Sequence, residues 1–312
     1  MARIGTSDLD VFPLALGGNV FGWTADEARS FAVLDAYTAA GGDFVDTADV
    51  YSAWVPGNSG GESETVLGRW LAARGNRDDV VVATKVGGHP DFKGLRAETI
   101  RAGAEASLRR LGTDHIDLYY THFDDLSTPV EEIVGTLDAL VREGKVRTLG
   151  ASNLSPERLA ASLDLAEREG LARYEIVQPL YNLVERGAYE GGMAELVAAR
   201  GLSAAPYSSL AAGFLSGKYR PGGARVESAR AAKAYGYLED ARGPRVLAAL
   251  DAVAAAHGAE VGTVALAWLA AQPTVVAPIA SASRVEQVPA LVAAADLKLT
   301  GDELAALTAA SA

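Results

Sequence analysis

One stretch, residues 116–152, decides how the chain is built. It opens with Ile116-Asp117-Leu118-Tyr119-Tyr120-Thr121-His122, continues through the helix-period segment Val130–Glu143, and ends in the short run Val146–Ser152. Short strand, longer helix, short strand is the signature of a βα unit feeding a parallel sheet. The alternation extends both ways. Upstream, strands are expected at Leu14–Gly17, Asp43–Asp46 and Val80–Lys85, with helices at Asp26–Ala40, Glu62–Arg74 and Arg96–Leu111. Downstream, strands are expected at Glu175–Gln178, Ser203–Tyr207 and Val275–Ile279. The helices there are Pro156–Glu169, Gly192–Ala199, Pro244–His257, Val261–Ala271, Arg284–Ala294 and Gly301–Ala310. Two helix starts carry capping chemistry: Ser155 ahead of Pro156, and Thr300 with Glu303.

Eight strands, each followed by a helix, over roughly 250 residues fit a (β/α)8 TIM barrel, here with extra helices late in the chain. No linker divides the sequence, so residues 1–312 read as one domain. A doubly wound sheet is the rival, but its dinucleotide fingerprint is missing. The nearest stretch, Gly17-Gly18-Asn19-Val20-Phe21-Gly22, does not have the G-x-G-x-x-G spacing. The longest irregular stretch, Leu215–Arg242, is expected to carry function, as long loops in compact domains usually do.

Composition narrows the partners. A chain with 49% hydrophobic and 22% charged residues is too apolar to be disordered. A net charge of −12 disfavours nucleic acid and anionic membrane surfaces. The absence of cysteine removes disulfides, thiolate metal sites and thiol nucleophiles. Met1–Val11 has no targeting pattern, and the apolar stretch Val261–Ala277 is interrupted by Gln272 and Pro273 before it could span a bilayer. A soluble, cytoplasmic protein is the expectation.

Some motifs mimic chemistry. Gly57-Asn58-Ser59-Gly60-Gly61 matches a nucleophile elbow, but Trp54-Val55-Pro56 ahead of it is not a strand. Gly213-Phe214-Leu215-Ser216-Gly217-Lys218 resembles a P-loop one residue short, followed by Tyr219 in place of a magnesium-binding hydroxyl; phosphate contact survives that defect and triphosphate hydrolysis does not. His89, His115, His122 and His257 have no metal-ligand spacing. The pairs Asp124-Asp125 and Glu131-Glu132 read as loop and first-turn charges, although spatially paired glycosidase carboxylates stay open at this level.

The distinctive feature is at the strand ends. Asp46, Lys85, His122, Ser152-Asn153, Gln178 and Tyr207-Ser208 each close an expected strand, one βα unit after another. In a parallel barrel every such end opens on the same face, so these groups ring one mouth. An Asp beside a Lys, a Tyr just beyond the Asp and a His on the adjacent strand make a proton-transfer site. The phenol donates at neutral pH, and a nearby ammonium stabilises the phenolate.

At these residues the chain resembles the aldo-keto reductases, over nearly its whole length. The resemblance rests on Asp43-Phe44-Val45-Asp46-Thr47-Ala48-Asp49-Val50-Tyr51, on Thr84-Lys85, and on Asp117-Leu118-Tyr119-Tyr120-Thr121 closed by His122. It rests also on Gly144-Lys145-Val146-Arg147 through Gly150-Ala151-Ser152-Asn153, and on Tyr207-Ser208-Ser209-Leu210-Ala211-Ala212-Gly213 through Gly217-Lys218. It implies a barrel floored by an N-terminal β-hairpin before Pro13, binding NADPH/NADP+ in extended form. The catalytic tetrad would be Asp46, Tyr51, Lys85 and His122. Ser152, Asn153 and Gln178 would hold the nicotinamide carboxamide and Tyr207 would stack on its ring. Ser208, Ser209, Leu210, Gly213 and Lys218 would follow the pyrophosphate. Ser281, Ser283, Arg284 and Gln287 would surround the 2′-phosphate at a helix start, with Arg225 or Arg230 as alternative holders. Pro289-Ala290-Leu291 stands where many relatives carry an adenine-binding Glu-Asn.

The function implied is hydride transfer from NADPH to the carbonyl of an aldehyde or ketone, with Tyr51 protonating the oxygen. The substrate pocket is expected at Asn19, Trp23, Trp54, the long loop and the Ser52–Gly61 loop. The alternative is a regulatory or sensing protein that binds NADPH on the same barrel with little turnover.

Overall fold

A computed structural model describing residues 1–312 resolves the alternation into a barrel. A hairpin comes first, β1 (Ala2–Arg3) pairing antiparallel with β2 (Asp10–Val11). The parallel strands follow: β3 (Ala15–Gly17), β4 (Phe44–Asp46), β5 (Val81–Val86), β6 (Ile116–Thr121), β7 (Val146–Ser152), β8 (Tyr174–Gln178), β9 (Ser203–Ala204) and β10 (Ile279–Ala280). They run in the order β10-β3-β4-β5-β6-β7-β8-β9. The two ends of this sheet meet. Val276 N donates to Ala204 O at 2.9 Å and Ile279 N to Pro206 O at 2.9 Å.

The seam strands are shorter than Ser203–Tyr207 and Val275–Ile279 led one to expect. Pro206 and Pro278 lie inside those runs and have no N–H to give the ladder. Tyr207 still bridges to Leu180, and Val275 to Ala204.

Around the strands run α1 (Glu27–Ala39), α2 (Glu62–Arg74), α3 (Ala97–Leu111), α4 (Val130–Arg142), α5 (Pro156–Glu169) and α6 (Gly192–Ala199). Then come α7 (Ala231–Glu239), α8 (Arg242–His257), α9 (Val261–Ala270), α10 (Val288–Val292) and α11 (Gly301–Ala310). The Ser155 and Thr300 caps form as expected, with Ser155 Oγ accepting from Arg158 N and Thr300 Oγ1 from Glu303 N. Two corrections arise late in the chain. The Leu215–Arg242 stretch is not wholly irregular, since it contains α7, whose start has no side-chain cap to announce it. The helix expected over Arg284–Ala294 breaks into a 3₁₀ turn at Val285–Gln287, the five-residue α10 with Pro289 in its first turn, and a second 3₁₀ turn at Ala293–Ala295.

Strand alternation sorts the side chains into two layers. Val82 and Val86 of β5 face the helices, where Leu67, Trp70, Ile100 and Tyr119 also pack. Ala83 points into the barrel with Phe44, Leu118, Tyr120 and Ile176. Ile4, Leu9 and Val11 of the hairpin fill the bottom of that interior. The hairpin is tied down by Gly5 N to Ser203 Oγ at 2.8 Å and Thr6 N to Glu175 Oε2 at 2.8 Å. With the floor plugged, the barrel opens only at the strand C-terminal ends.

Candidate active site

The same alternation fixes the site. Two residues beyond Phe44, Ala83 and Ile176 on the inward face stand Asp46, Lys85 and Gln178. The first polar layer therefore sits directly on the apolar one. Lys85, fully buried, donates to Asp46 Oδ2 at 2.7 Å, Asp46 Oδ1 at 2.9 Å, Thr47 O at 2.7 Å and Tyr51 OH at 3.0 Å. Gln178 Nε2 donates to Asp46 Oδ1 at 2.8 Å.

Tyr51 comes from the loop after β4, and that loop is pinned. Ser52, at φ 72°, donates to Phe21 O at 2.8 Å, and Asn58 Nδ2 donates to Gly22 O at 3.1 Å. Glu62, opening α2, accepts from Ser59 N at 2.7 Å, so the glycine-rich turn is a helix lead-in and not a nucleophile elbow.

Burial and charge set the protonation states. Burial pushes the Tyr51 phenol above its ordinary value; Lys85 pulls it down, Asp46 pushes it up, and the net direction is up. Lys85 lowers the phenol, as expected from the sequence, but desolvation outweighs it. Burial works against the Lys85 ammonium, yet Asp46 and then Tyr51 more than offset it, so Lys85 stays charged. His122 is pushed down to about 3 by burial and by Lys85, which makes it a neutral imidazole. Its ring stacks on Phe123 at 4.3 Å and meets the Tyr51 ring at 6.1 Å, while Nδ1 is buried without a partner.

A cavity of about 640 Å³ opens above this layer. Asp46, Tyr51 and His122 line it, as do Ser152, Asn153, Gln178, Tyr207, Ser208, Ser209, Leu210, Gly213, Lys218, Ser281, Ser283 and Gln287. Asn19 and Trp23 line it as well. The strand-end groups interlock: Tyr207 OH donates to Asn153 Oδ1 at 3.0 Å, Asn153 Nδ2 to Ser152 Oγ at 3.0 Å, and Ser152 Oγ to Gln178 O at 2.8 Å. From Ser208 the backbone takes positive φ at Ser208, Ala211, Ala212 and Gly213, and turns a run of amides inside a small-residue loop. Ser281 Oγ donates to Asn19 Oδ1 at 2.8 Å, which ties the far wall to the loop after β3.

Three expected residues stand apart from the wall. Lys85 lies beneath it, behind Asp46 and Tyr51. Trp54 is 49% exposed at the rim, edge-on to Trp23 at 5.5 Å and to Tyr51 at 6.3 Å, so it braces the wall from outside. Arg284 is exposed and heads only the short 3₁₀ turn; the helix start expected there does not form. Conversely, Thr24, Phe123 and Ala212 line the cavity although nothing in the sequence placed them there. From the long loop, expected at the pocket, Ser216, Ser228–Arg230 and Lys233 reach the wall. Of the two alternative phosphate holders, Arg230 is on the wall and Arg225 is not.

Sequence comparisons agree with this architecture. A family model described as "Aldo/keto reductase family" matches residues 13–312. Protein tas of Escherichia coli is 32% identical, over 98% of this chain and 96% of that protein. Norsolorinic acid reductase stcV of Emericella nidulans is 33% identical over 94% of this chain and 76% of its own length. A probable voltage-gated potassium channel subunit beta of Oryza sativa is 32% identical over 92% of this chain and 88% of its own length.

Proposed function

Because the chain belongs to the aldo/keto reductase family, whose members are oxidoreductases of small-molecule carbonyls, we propose that it reduces an aldehyde or ketone with NADPH and that Tyr51 supplies the proton. The observation that carries this is the Tyr51 hydroxyl, 3.0 Å from a buried ammonium and open to the cavity.

The residues present suit the cofactor. The positive-φ amides from Ser208 to Gly213, with Lys218 and Lys233, offer donors and charge to phosphates, and Asp46 is the one carboxylate on the cavity wall. Ser152, Asn153 and Gln178 would hold the carboxamide, Tyr207 would cover the ring, and Ser281, Ser283, Arg284 and Gln287 would meet the 2′-phosphate. When bound, the reduced nicotinamide supplies the hydride.

The protein's own groups do the rest. A substrate carbonyl oxygen between Tyr51 and His122 accepts from the phenol and from the neutral imidazole. As charge gathers on that oxygen, donors already aimed at it contribute about 3 to 4 kcal/mol each. Tyr51 then gives up its proton to the alkoxide. Lys85, fixed by Asp46, steadies the phenolate that remains.

The test is NADPH oxidation against a panel of aldehydes and ketones. Tyr51→Phe should cut turnover at least about a hundredfold while NADPH affinity stays within a few-fold. Undiminished turnover in that variant would remove Tyr51 from the mechanism. A second reading is favoured by the relatives named as channel beta subunits: a regulatory barrel that binds NADPH with little turnover. It predicts tight NADPH binding and no oxidation with any carbonyl.

A further inference from the structure

Behind the loop that carries Tyr51 lies a buried acid that the reduction chemistry leaves unused. Beyond its last ladder residue the chain of β4 keeps to the edge of β5: Thr47 N donates to Ala83 O at 2.8 Å and Asp49 N to Lys85 O at 3.2 Å. Two residues later comes Tyr51, whose own N donates back to Ala48 O at 3.2 Å. Lys85 sends its side chain to the cavity side, where its ammonium is taken by Asp46 and Tyr51. The Asp49 carboxyl lies on the helix side, beside Glu64 of α2, Arg110 of α3 and Tyr119 of β6.

Asp49 is fully buried, and neither carboxylate oxygen has a hydrogen-bond partner. Its surroundings are poor company for a second anion. Glu64, also fully buried, accepts from Arg110 Nε at 2.6 Å and from Thr84 Oγ1 of β5, so the guanidinium at hand is already engaged. The Tyr119 phenol is pushed up by burial and then by Asp49 and Glu64. The amides of His89 and Val50 approach the Asp49 carboxyl without closing a hydrogen bond. Gly60 seals the cluster: a Cβ there would come within 2.7 Å of the His89 ring and 3.2 Å of Asp49 O. Two carboxyl groups sharing one guanidinium, closed to water, are stable only if one of them keeps its proton. That one is Asp49, since Glu64 holds both of the available donors.

We propose that Asp49 is a positioning residue for Tyr51: as a neutral acid it seats the Tyr51 loop against β5 and α2, and on ionising it unseats the phenol from Lys85. An ionised Asp49 would face Glu64 with no donor of its own, and relief comes only from moving the segment that ends in Tyr51. The effect on turnover rests on the reductase reading above; the effect on the phenol does not.

Tyrosine labelled with carbon-13 at Cζ reports the phenol without any turnover. The Tyr51 resonance, assigned by its loss in Tyr51→Phe, should shift as the pH passes about 8, the value to which burial and Glu64 push Asp49. The phenol itself, pushed above its ordinary value, still keeps its proton there. In Asp49→Asn, which cannot ionise, that shift should vanish. In kinetics, Asp49→Ala should lower kcat about ten- to a hundredfold with KM little changed, the cost of a misplaced reacting group. Asp49→Asn should restore most of that loss and remove the fall in kcat that the wild type shows as the pH passes about 8. A Tyr51 resonance that moves alike in wild type and Asp49→Asn, or moves in neither, overturns the proposal. So does an Asp49→Ala variant with undiminished kcat. A resonance that shifts in the wild type alone, with no carbonyl reduced by any of these proteins, keeps the coupling and sinks the reductase reading.

Discussion

Lys85 Nζ lies 2.7 Å from Asp46 Oδ2 with the ammonium fully sealed from solvent; it meets the reacting end of the cavity through the Tyr51 hydroxyl, 3.0 Å away. Lys85 is accordingly a positioning and electrostatic group, and its effect should be read in the behaviour of the phenol.

Lys85→Met leaves Asp46 buried without a counter-ion and should cost about 3 to 5 kcal/mol of stability. Asp46→Asn combined with Lys85→Met should recover much of that loss, because no bare charge remains. Denaturant titration of the single and double variants checks it; equal destabilisation by both would mean that the ion pair is not what the packing depends on. In Lys85→Met the Tyr51 titration should move further up, and a pH–rate profile coincident with wild type would refute the coupling.

His122, held neutral by burial and by Lys85 with a value of about 3, should donate as an imidazole across the working range. The pH profile of kcat should show no inflection near the ordinary histidine value of about 6.5. Between about 6.5 and 3 the unfolded chain takes up a proton at this position that the folded protein refuses, so stability falls as the pH drops through that window. His122→Gln should flatten that part of the stability curve. Parallel curves for variant and wild type would contradict the assignment.

Asp49 gives the opposite slope. Neither of its carboxylate oxygens finds a hydrogen-bond partner, and burial followed by nearby Glu64 pushes it up to about 8, against the pull of Arg110. The folded protein therefore keeps a proton that the unfolded chain releases, and stability declines as pH rises from the ordinary carboxylate range to about 8. Asp49→Asn cannot titrate. Its melting temperature relative to wild type should climb between pH 5 and pH 9, and a constant difference would count against a protonated Asp49.

Arg284, exposed beside Ser283 and Gln287, is expected to meet the 2′-phosphate only from the rim. Arg284→Ala should weaken NADPH about tenfold, the low end for a charge-assisted contact in solvent, and leave NADH unchanged. Titrations of both cofactors decide it. Equal losses would place the phosphate elsewhere.

The parts legible in the sequence are those with a period. Asp46, Lys85 and Gln178 were readable because each follows an apolar strand at a constant parity, and the barrel then delivers them to one rim. The place of Trp54 at the rim was not legible, because it depends on how the pinned loop leans against Trp23 and Tyr51, which no local pattern encodes. The neutral state of His122 and the upward net shift of Tyr51 are burial effects, invisible before the fold encloses them. The seam strands are shorter than expected because Pro206 and Pro278, inside the two runs, have no N–H to complete the ladder.

The hairpin that floors the barrel also makes the fold depend on contacts far apart in the chain. The seat of Ile4, Leu9 and Val11 includes Ile176, Ala205, Ala277 and Ile279, and Gly5 N donates to Ser203 Oγ across 198 residues. Seating the floor therefore closes a long loop, whose entropy is offset only by contacts that the far strands of the wall supply. A substitution at Ala205 or Ala277 thus bears on the floor as directly as one in the hairpin itself.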